Sequence, residues 1–225
     1  MDAPLKTTPK TYIALGDSIS IDDYPERETG ISGIGAASLF AKALRERDPS
    51  LTFENLTADA ATTDDVLRLQ LPRVRESPDA CIVTITAGGN DLLMNLRATR
   101  PPVRLVEGIL ERLARTLNEL EQKLPNALVL LGTVYDPSDG TNTLYGEHLE
   151  REAKWLARVN EGIRELAAQR KNVHLADIHQ LFLGHGLTAP ENERWYWSGL
   201  IFEPNAEGAR QVAKLWSAAA QAAAF

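Results

Sequence analysis

Five short apolar runs, each parted from the next by a stretch with helical periodicity, constrain this chain more than any other feature. They are Tyr12–Leu15, Leu51–Leu56, Ala80–Thr86, Ala127–Val134 and Val173–Leu175. Two of them, Cys81-Ile82-Val83-Thr84-Ile85 and Leu128-Val129-Leu130-Leu131, are continuous rather than alternating. That is the pattern of strands covered on both faces. The clearest intervening helix carries Leu105, Ile109, Leu113, Leu117, Leu120 and Leu124 on one stripe at three- and four-residue spacing. Others are expected over Gly35–Arg47, Thr63–Leu71, within Glu147–Arg170 and over Asn205–Ala224. No hairpin signal joins any two runs. The alternation therefore predicts right-handed crossovers and a parallel α/β sheet with helices on both faces. A chain of 225 residues fits one domain, 1–225, with residues 1–9 expected as a flexible N-terminal segment.

Several function classes are disfavoured by the same sequence. With 24 Lys+Arg against 31 Asp+Glu, the net charge of −7 lacks the positive footprint that nucleic acid or an anionic membrane requires. No apolar stretch reaches the 18 or so residues of a membrane span. The first residues, Met1-Asp2-Ala3-Pro4-Leu5-Lys6, have no signal-peptide core, and a single cysteine forms no internal disulfide, so a cytoplasmic protein is expected. There is no phosphate-binding Gly-x4-Gly-Lys, and Gly30-x-x-Gly33-x-Gly35 has the wrong order for a dinucleotide loop.

In open parallel sheets, ligands bind beyond the carboxyl ends of the strands. After the first strand stands Gly16-Asp17-Ser18-Ile19-Ser20. Ser18 there either presents its hydroxyl in the mouth of the sheet or caps a turn. Ser20 rules out the Gly-x-Ser-x-Gly elbow. After the third strand comes Ala87-Gly88-Gly89-Asn90-Asp91. Gly89 permits close backbone approach, and Asn90 is either an oxyanion donor or a helix cap. Asp17, Asp22 and Asp23 put carboxylates around the first loop, as turn caps or as a polar-substrate site. Trp197, in Trp195-Tyr196-Trp197, walls a pocket or simply packs, and Tyr135–Gly146 is long enough to form a rim.

Read together, these blocks resemble the GDSL/SGNH hydrolase superfamily. Ala14-Leu15-Gly16-Asp17-Ser18 is similar to its first block, and Asn55 with Ala60-Ala61-Thr62-Thr63-Asp64-Asp65 to its second. Thr86-Ala87-Gly88-Gly89-Asn90-Asp91 is similar to the third, and Pro204-Asn205-Ala206 follows the place of the last. The resemblance implies a flavodoxin-like three-layer α/β/α sandwich with a five-stranded parallel sheet. It also implies hydrolysis of a carboxylic ester or thioester of a small or polar molecule through an acyl-enzyme on Ser18. Asn90 and the backbone N–H groups of Ser18 and Ala60 would form the oxyanion hole, with no metal or cofactor.

Two departures stand out. Ala60 occupies the place of the family's glycine, which costs little if its φ is negative. The last block, Asp-x-x-His before proline in the family, reads Leu200-Ile201-Phe202-Glu203-Pro204. The base is then either Glu203, in the aligned slot, or His185, in the glycine-flanked Gly184-His185-Gly186. Of the other histidines, His174 reads as structural, His148 as solvated and His179 as close to the rim. An ordinary glutamate, near about 4.3, is a poor base beside imidazole at about 6.5, although burial among Phe202, Trp195 and Trp197 would raise it. The alternative is a catalytically impaired ligand-binding protein on the same scaffold, lacking the Asp/His pair.

Overall fold

The computed structural model describes residues 8–96, 98 and 104–223. Most of the segment expected to be flexible, residues 1–7, lies outside the described residues. Five strands form one parallel sheet: β1 (Thr11–Gly16), β2 (Thr52–Asn55), β3 (Cys81–Thr86), β4 (Ala127–Gly132) and β7 (Val173–Ala176), in the order β2-β1-β3-β4-β7. A separate two-stranded hairpin, β5 (Thr143–Leu144) and β6 (Glu147–His148), sits in the long segment after β4.

The sheet is buried on both sides because its central strands β1, β3 and β4 alternate between two cores. Ile13, Leu15, Val83, Ile85, Val129 and Leu131 face one cluster, with Ile109, Leu113 and Leu117 of α5 (Leu105–Lys123) and Val159 and Ile163 of α6 (Glu150–Ala168). Tyr12, Ala14, Ile82, Leu128 and Leu130 face the other. There Phe40 of α2 (Ala36–Arg45) and Val212 and Trp216 of α8 (Ala206–Ala222) pack against them. Continuous apolar strands thus follow from two covering layers. The α/β fold with a five-stranded parallel sheet expected from the sequence is the fold observed.

Shorter elements bring the functional loops together. α1 (Asp23–Thr29) follows a 3-10 turn at Ser18–Ser20, α4 (Gly89–Leu93) follows β3, and α7 (Ile178–Phe182) follows β7. α3 (Thr63–Asp65) runs into a π-helical turn, Val66–Gln70. β1 and β3 are neighbours in register, with Gly16 opposite Thr86, so the loops after these strands leave the sheet side by side. A Cβ on Gly16, whose φ is +125°, would lie 2.0 Å from the Thr86 carbonyl oxygen. Only glycine permits that approach. Gln70 holds the same point from below. Its carboxamide accepts from Gly16 N (2.7 Å) and donates to Gly16 O (2.8 Å).

Candidate active site

The loop after β1 is a compact turn with its polar groups mostly assigned. Asp17 precedes the 3-10 turn, and its carboxylate accepts the Ile19 N–H at 3.2 Å. Ser18 follows, and no described acceptor takes its N–H. Ser20 is buried and its hydroxyl meets that of Thr86 at 3.0 Å. Capping therefore falls to Asp17, which leaves Ser18 at the floor of a cleft that Asp17, Gly89, Asn90 and Glu203 also line.

Asn90 is at the start of α4, where Gly88 (φ +113°) turns the chain off β3. Its side-chain amide donates to the Ala61 carbonyl at 3.0 Å, which leaves a second N–H of the same group for a ligand. Next to it, the buried Asp91 accepts from Thr63 N (2.9 Å) and Thr63 Oγ1 (2.7 Å) and pairs with Arg112 at 2.8 Å. A fully satisfied buried network of this kind fixes relative positions. It ties α3, α4 and α5 into one unit and so sets the second-block loop against Asn90.

That loop differs from expectation at Ala60. Its φ is +56°, in the left-handed region, not negative. The Cβ of an L-residue is crowded there by about 1–2 kcal/mol, which explains why a glycine suits the position. No described acceptor takes the Ala60 N–H. Ala60→Gly is expected to relieve the crowding, partly offset by the greater freedom of glycine in the unfolded chain. The net gain should be about 0.5–1 kcal/mol, read as a higher urea midpoint at unchanged slope.

Glu203 is buried, as the sequence reading allowed. It is 7% exposed, and its Oε2 is buried without a hydrogen-bond partner. Burial is the main force raising its carboxyl from 4.5 to about 8; hydrogen bonding with the Ser18 hydroxyl works against the rise, and the carboxyls of Asp17 and Asp59 add to it. Asp17 is likewise pushed up to about 7, chiefly by burial. The backbone of the Glu203 loop is pinned on both sides. Trp197 N donates to Glu203 O at 2.8 Å, and Tyr135 Oη donates to the Phe202 carbonyl. Tyr24, whose hydroxyl donates to Asp59 at 3.1 Å, is near enough for Glu203 to help raise it to about 12. Tyr24, in α1, did not stand out in sequence, and Tyr135 did so only as the start of a rim segment; the fold brings both near Glu203.

The remaining sequence candidates are not in the cleft. His185 does not line it: its ring stacks on Trp195 at 3.6 Å and 5°, and its Nδ1 lies 3.1 Å from the Glu193 carbonyl. Asp22 is spent on Gly35 N (2.6 Å) and Ser38 Oγ (2.8 Å), and Asp23 pairs with Arg27 on the surface. Trp197 lines a neighbouring depression with Tyr145 and Tyr196, and its ring meets that of Tyr24 at 5.5 Å. Of the three acids around the first loop, only Asp17 reaches the cleft.

The Tyr135–Gly146 segment does form a rim: Tyr135, Pro137, Ser138, Asn142 and Leu144 line the cleft. It runs into the β5–β6 hairpin, where the sequence predicts loop up to Gly146 and the approach to a helix from Glu147. Both turn residues have positive φ, Tyr145 at +50° and Gly146 at +83°.

A family model described as the GDSL-like Lipase/Acylhydrolase family matches residues 14–211. No curated protein matches the sequence. Among solved structures, the chain is similar to phospholipase A1 from Streptomyces albidoflavus at 20% identity, over 94% of this chain and 99% of that one, with a TM-score of 0.64. It is also similar to an alpha/beta hydrolase enzyme from the metagenome of Lake Arreo, Spain (18% identity, 99% and 100% covered, TM-score 0.71). A third likeness is to a variant of an acetyl xylan esterase from Geobacillus stearothermophilus (14% identity, 95% and 95% covered, TM-score 0.68). At these identities the structures share the fold.

Proposed function

Since the chain belongs to the GDSL-like lipase/acylhydrolase family and is thus a hydrolase of ester substrates, we propose that it cleaves a carboxylic ester or thioester through an acyl-enzyme on Ser18, with Glu203 as general base. Ser18 Oγ attacks the acyl carbon and its proton passes to Glu203. The negative charge on the carbonyl oxygen is held by the N–H groups of Ser18 and Ala60 and by the free N–H of the Asn90 amide. As the tetrahedral intermediate collapses, the bond to the alcohol or thiol breaks and Glu203 returns the proton to the leaving group. Water then attacks the acyl-enzyme, giving its proton to Glu203, and the carboxylic acid leaves as Ser18 is reprotonated. Each oxyanion donor of this kind is worth roughly 10²–10³ in rate.

One observation carries this reading: Ser18 and the buried Glu203 line the same cleft, with Ser18 near enough to hold back the rise that burial drives in that carboxyl, to about 8. An ordinary carboxylate is too weak a base for a hydroxyl, and a group matched to working pH is what proton transfer needs. A buried carboxylate near 8 meets that need where imidazole does so in other serine hydrolases. The rival reading, an impaired ligand-binding protein, rests on the lack of any histidine among the cleft-lining residues. A fluorophosphonate probe decides between them. Labelling mapped to Ser18 by peptide mass spectrometry, together with turnover of a p-nitrophenyl ester, is the expected result. No labelling and no turnover, with a small polar ligand raising the melting temperature, would favour the rival.

A further inference from the structure

The cleft has two unlike halves. Around Ser18 it is polar; beyond, it runs between α4, the β5–β6 hairpin and the start of α6. The wall there is made by Leu92 and Leu93 of α4, Leu144 of β5, Leu149 and Leu156 at α6, and Phe202. Four of these, Leu92, Leu93, Leu156 and Phe202, are only partly buried, so the cleft holds open hydrocarbon surface. The whole cleft measures about 820 Å³ out to open solvent.

On the same rim Asp136 and Ser138 are already occupied, while Asn142 and Glu152 also line the cleft. Asp136 Oδ1 accepts from Ser138 N (2.8 Å) and Ser138 Oγ (2.7 Å), and its Oδ2 from Gly140 N (2.9 Å). Ser138 Oγ in turn accepts from Asn142 N at 3.2 Å. A polar acyl group entering this half would exchange water for leucine and leave its own groups unpaired, at a cost of roughly 1–3 kcal/mol each. This wall favours an acyl group that presents hydrocarbon to it.

From that arrangement we propose that the acyl half of the substrate is an unbranched apolar chain longer than acetyl, and that Leu144 is a specificity-determining residue against which the chain packs. The proposal rests on the Ser18 reading above. Leu144 is suited to the role by its mounting. With Leu149 and Ile201 it forms a small cluster, backed by Leu96, Leu187 and Phe202, apart from the two cores of the main sheet. Removing it therefore alters the cleft wall without opening either core.

The test is kcat/KM for p-nitrophenyl acetate, butyrate, hexanoate and octanoate, with the wild type, Ser18→Ala and Leu144→Ala. For each methylene that enters the wall, kcat/KM should rise about fourfold, the factor corresponding to about 0.8 kcal/mol per buried CH₂. Leu144→Ala should lower the hexanoate-to-acetate ratio of kcat/KM at least about fivefold. A flat or falling series whose turnover is nonetheless abolished by Ser18→Ala would overturn the acyl proposal alone. Equal losses on every ester in Leu144→Ala would overturn its specificity role. Turnover that survives Ser18→Ala would instead strike the underlying reading.

Discussion

Replacing Ser18 with alanine is expected to lower ester turnover at least about a thousandfold while leaving the melting temperature within a degree or so of the wild type. The loss follows from removing the atom that forms the acyl bond. The fold survives because the turn does not depend on the hydroxyl. Asp17, not Ser18, caps it, and Gly16 is held by Gln70 and pressed against Thr86. The backbone N–H at position 18 persists in alanine, and Asn90 keeps its bond to Ala61, so a small residual rate from the oxyanion hole should remain. Steady-state kinetics on a p-nitrophenyl ester, with thermal melts of both proteins, checks the pair of expectations. A variant as fast as the wild type would remove Ser18 from the chemistry.

Glu203→Gln should cost turnover about 10²–10⁴, the usual range for a lost general base. It should also change stability in a direction that separates a catalytic loss from a damaged fold. The folded carboxyl titrates near 8 and an ordinary one near 4.5. Between those values the folded protein holds a proton that the unfolded chain has released. The stability this group lends is thus complete below 4.5 and is lost as pH rises through 8. Glutamine carries no such liability. At pH 9 the variant should be more stable than the wild type by roughly 1–3 kcal/mol, after discounting for water in the open cleft. At pH 4 the two should nearly coincide. Glu203→His should restore part of the rate, since it puts imidazole where related enzymes are expected to carry it. A Gln variant that is inactive and also less stable at pH 9 would point to a structural role instead.

Much of this fold was legible because its signals are long. Leu105 to Leu124 carries an unbroken stripe, and the Cys81–Ile85 and Leu128–Leu131 runs have no polar face, which only a doubly covered sheet allows. The hairpin was not legible. Tyr145–Gly146 lacks the Asn-Gly or Asp-Gly pair that usually announces such a turn, and two-residue strands have no period to read. α4 and α7, at five residues each, are too short for a periodic stripe, and the π turn before Gln70 has no propensity signature.

Ser18, Gly89 and Asn90 were visible as loop chemistry at strand ends, and the fold brings all three to one cleft. Glu203 was visible as a place, and burial was expected to raise it; the acids that add to the rise were not visible. Its altered acidity depends on burial, on Asp17 in the loop after β1 and on Asp59 from the second-block loop, neither of them near it in sequence. His185 read from sequence as a glycine-flanked loop histidine and a rival base; the Trp195 ring that stacks on it is ten residues away and carries no local mark. The sign of φ at Ala60 is likewise a property of the packed loop.

Activation of Ser18 by Glu203 is tested most directly by the pH dependence of the rate at which a fluorophosphonate labels Ser18. The account predicts a rate that falls about tenfold per pH unit below a limb near 8, with that limb absent in Glu203→Gln. Asp17→Asn, which keeps an acceptor for Ile19 but removes a neighbouring charge, should move the limb downward. A limb near about 6.5, the ordinary imidazole range, that persists in Glu203→Gln would contradict it.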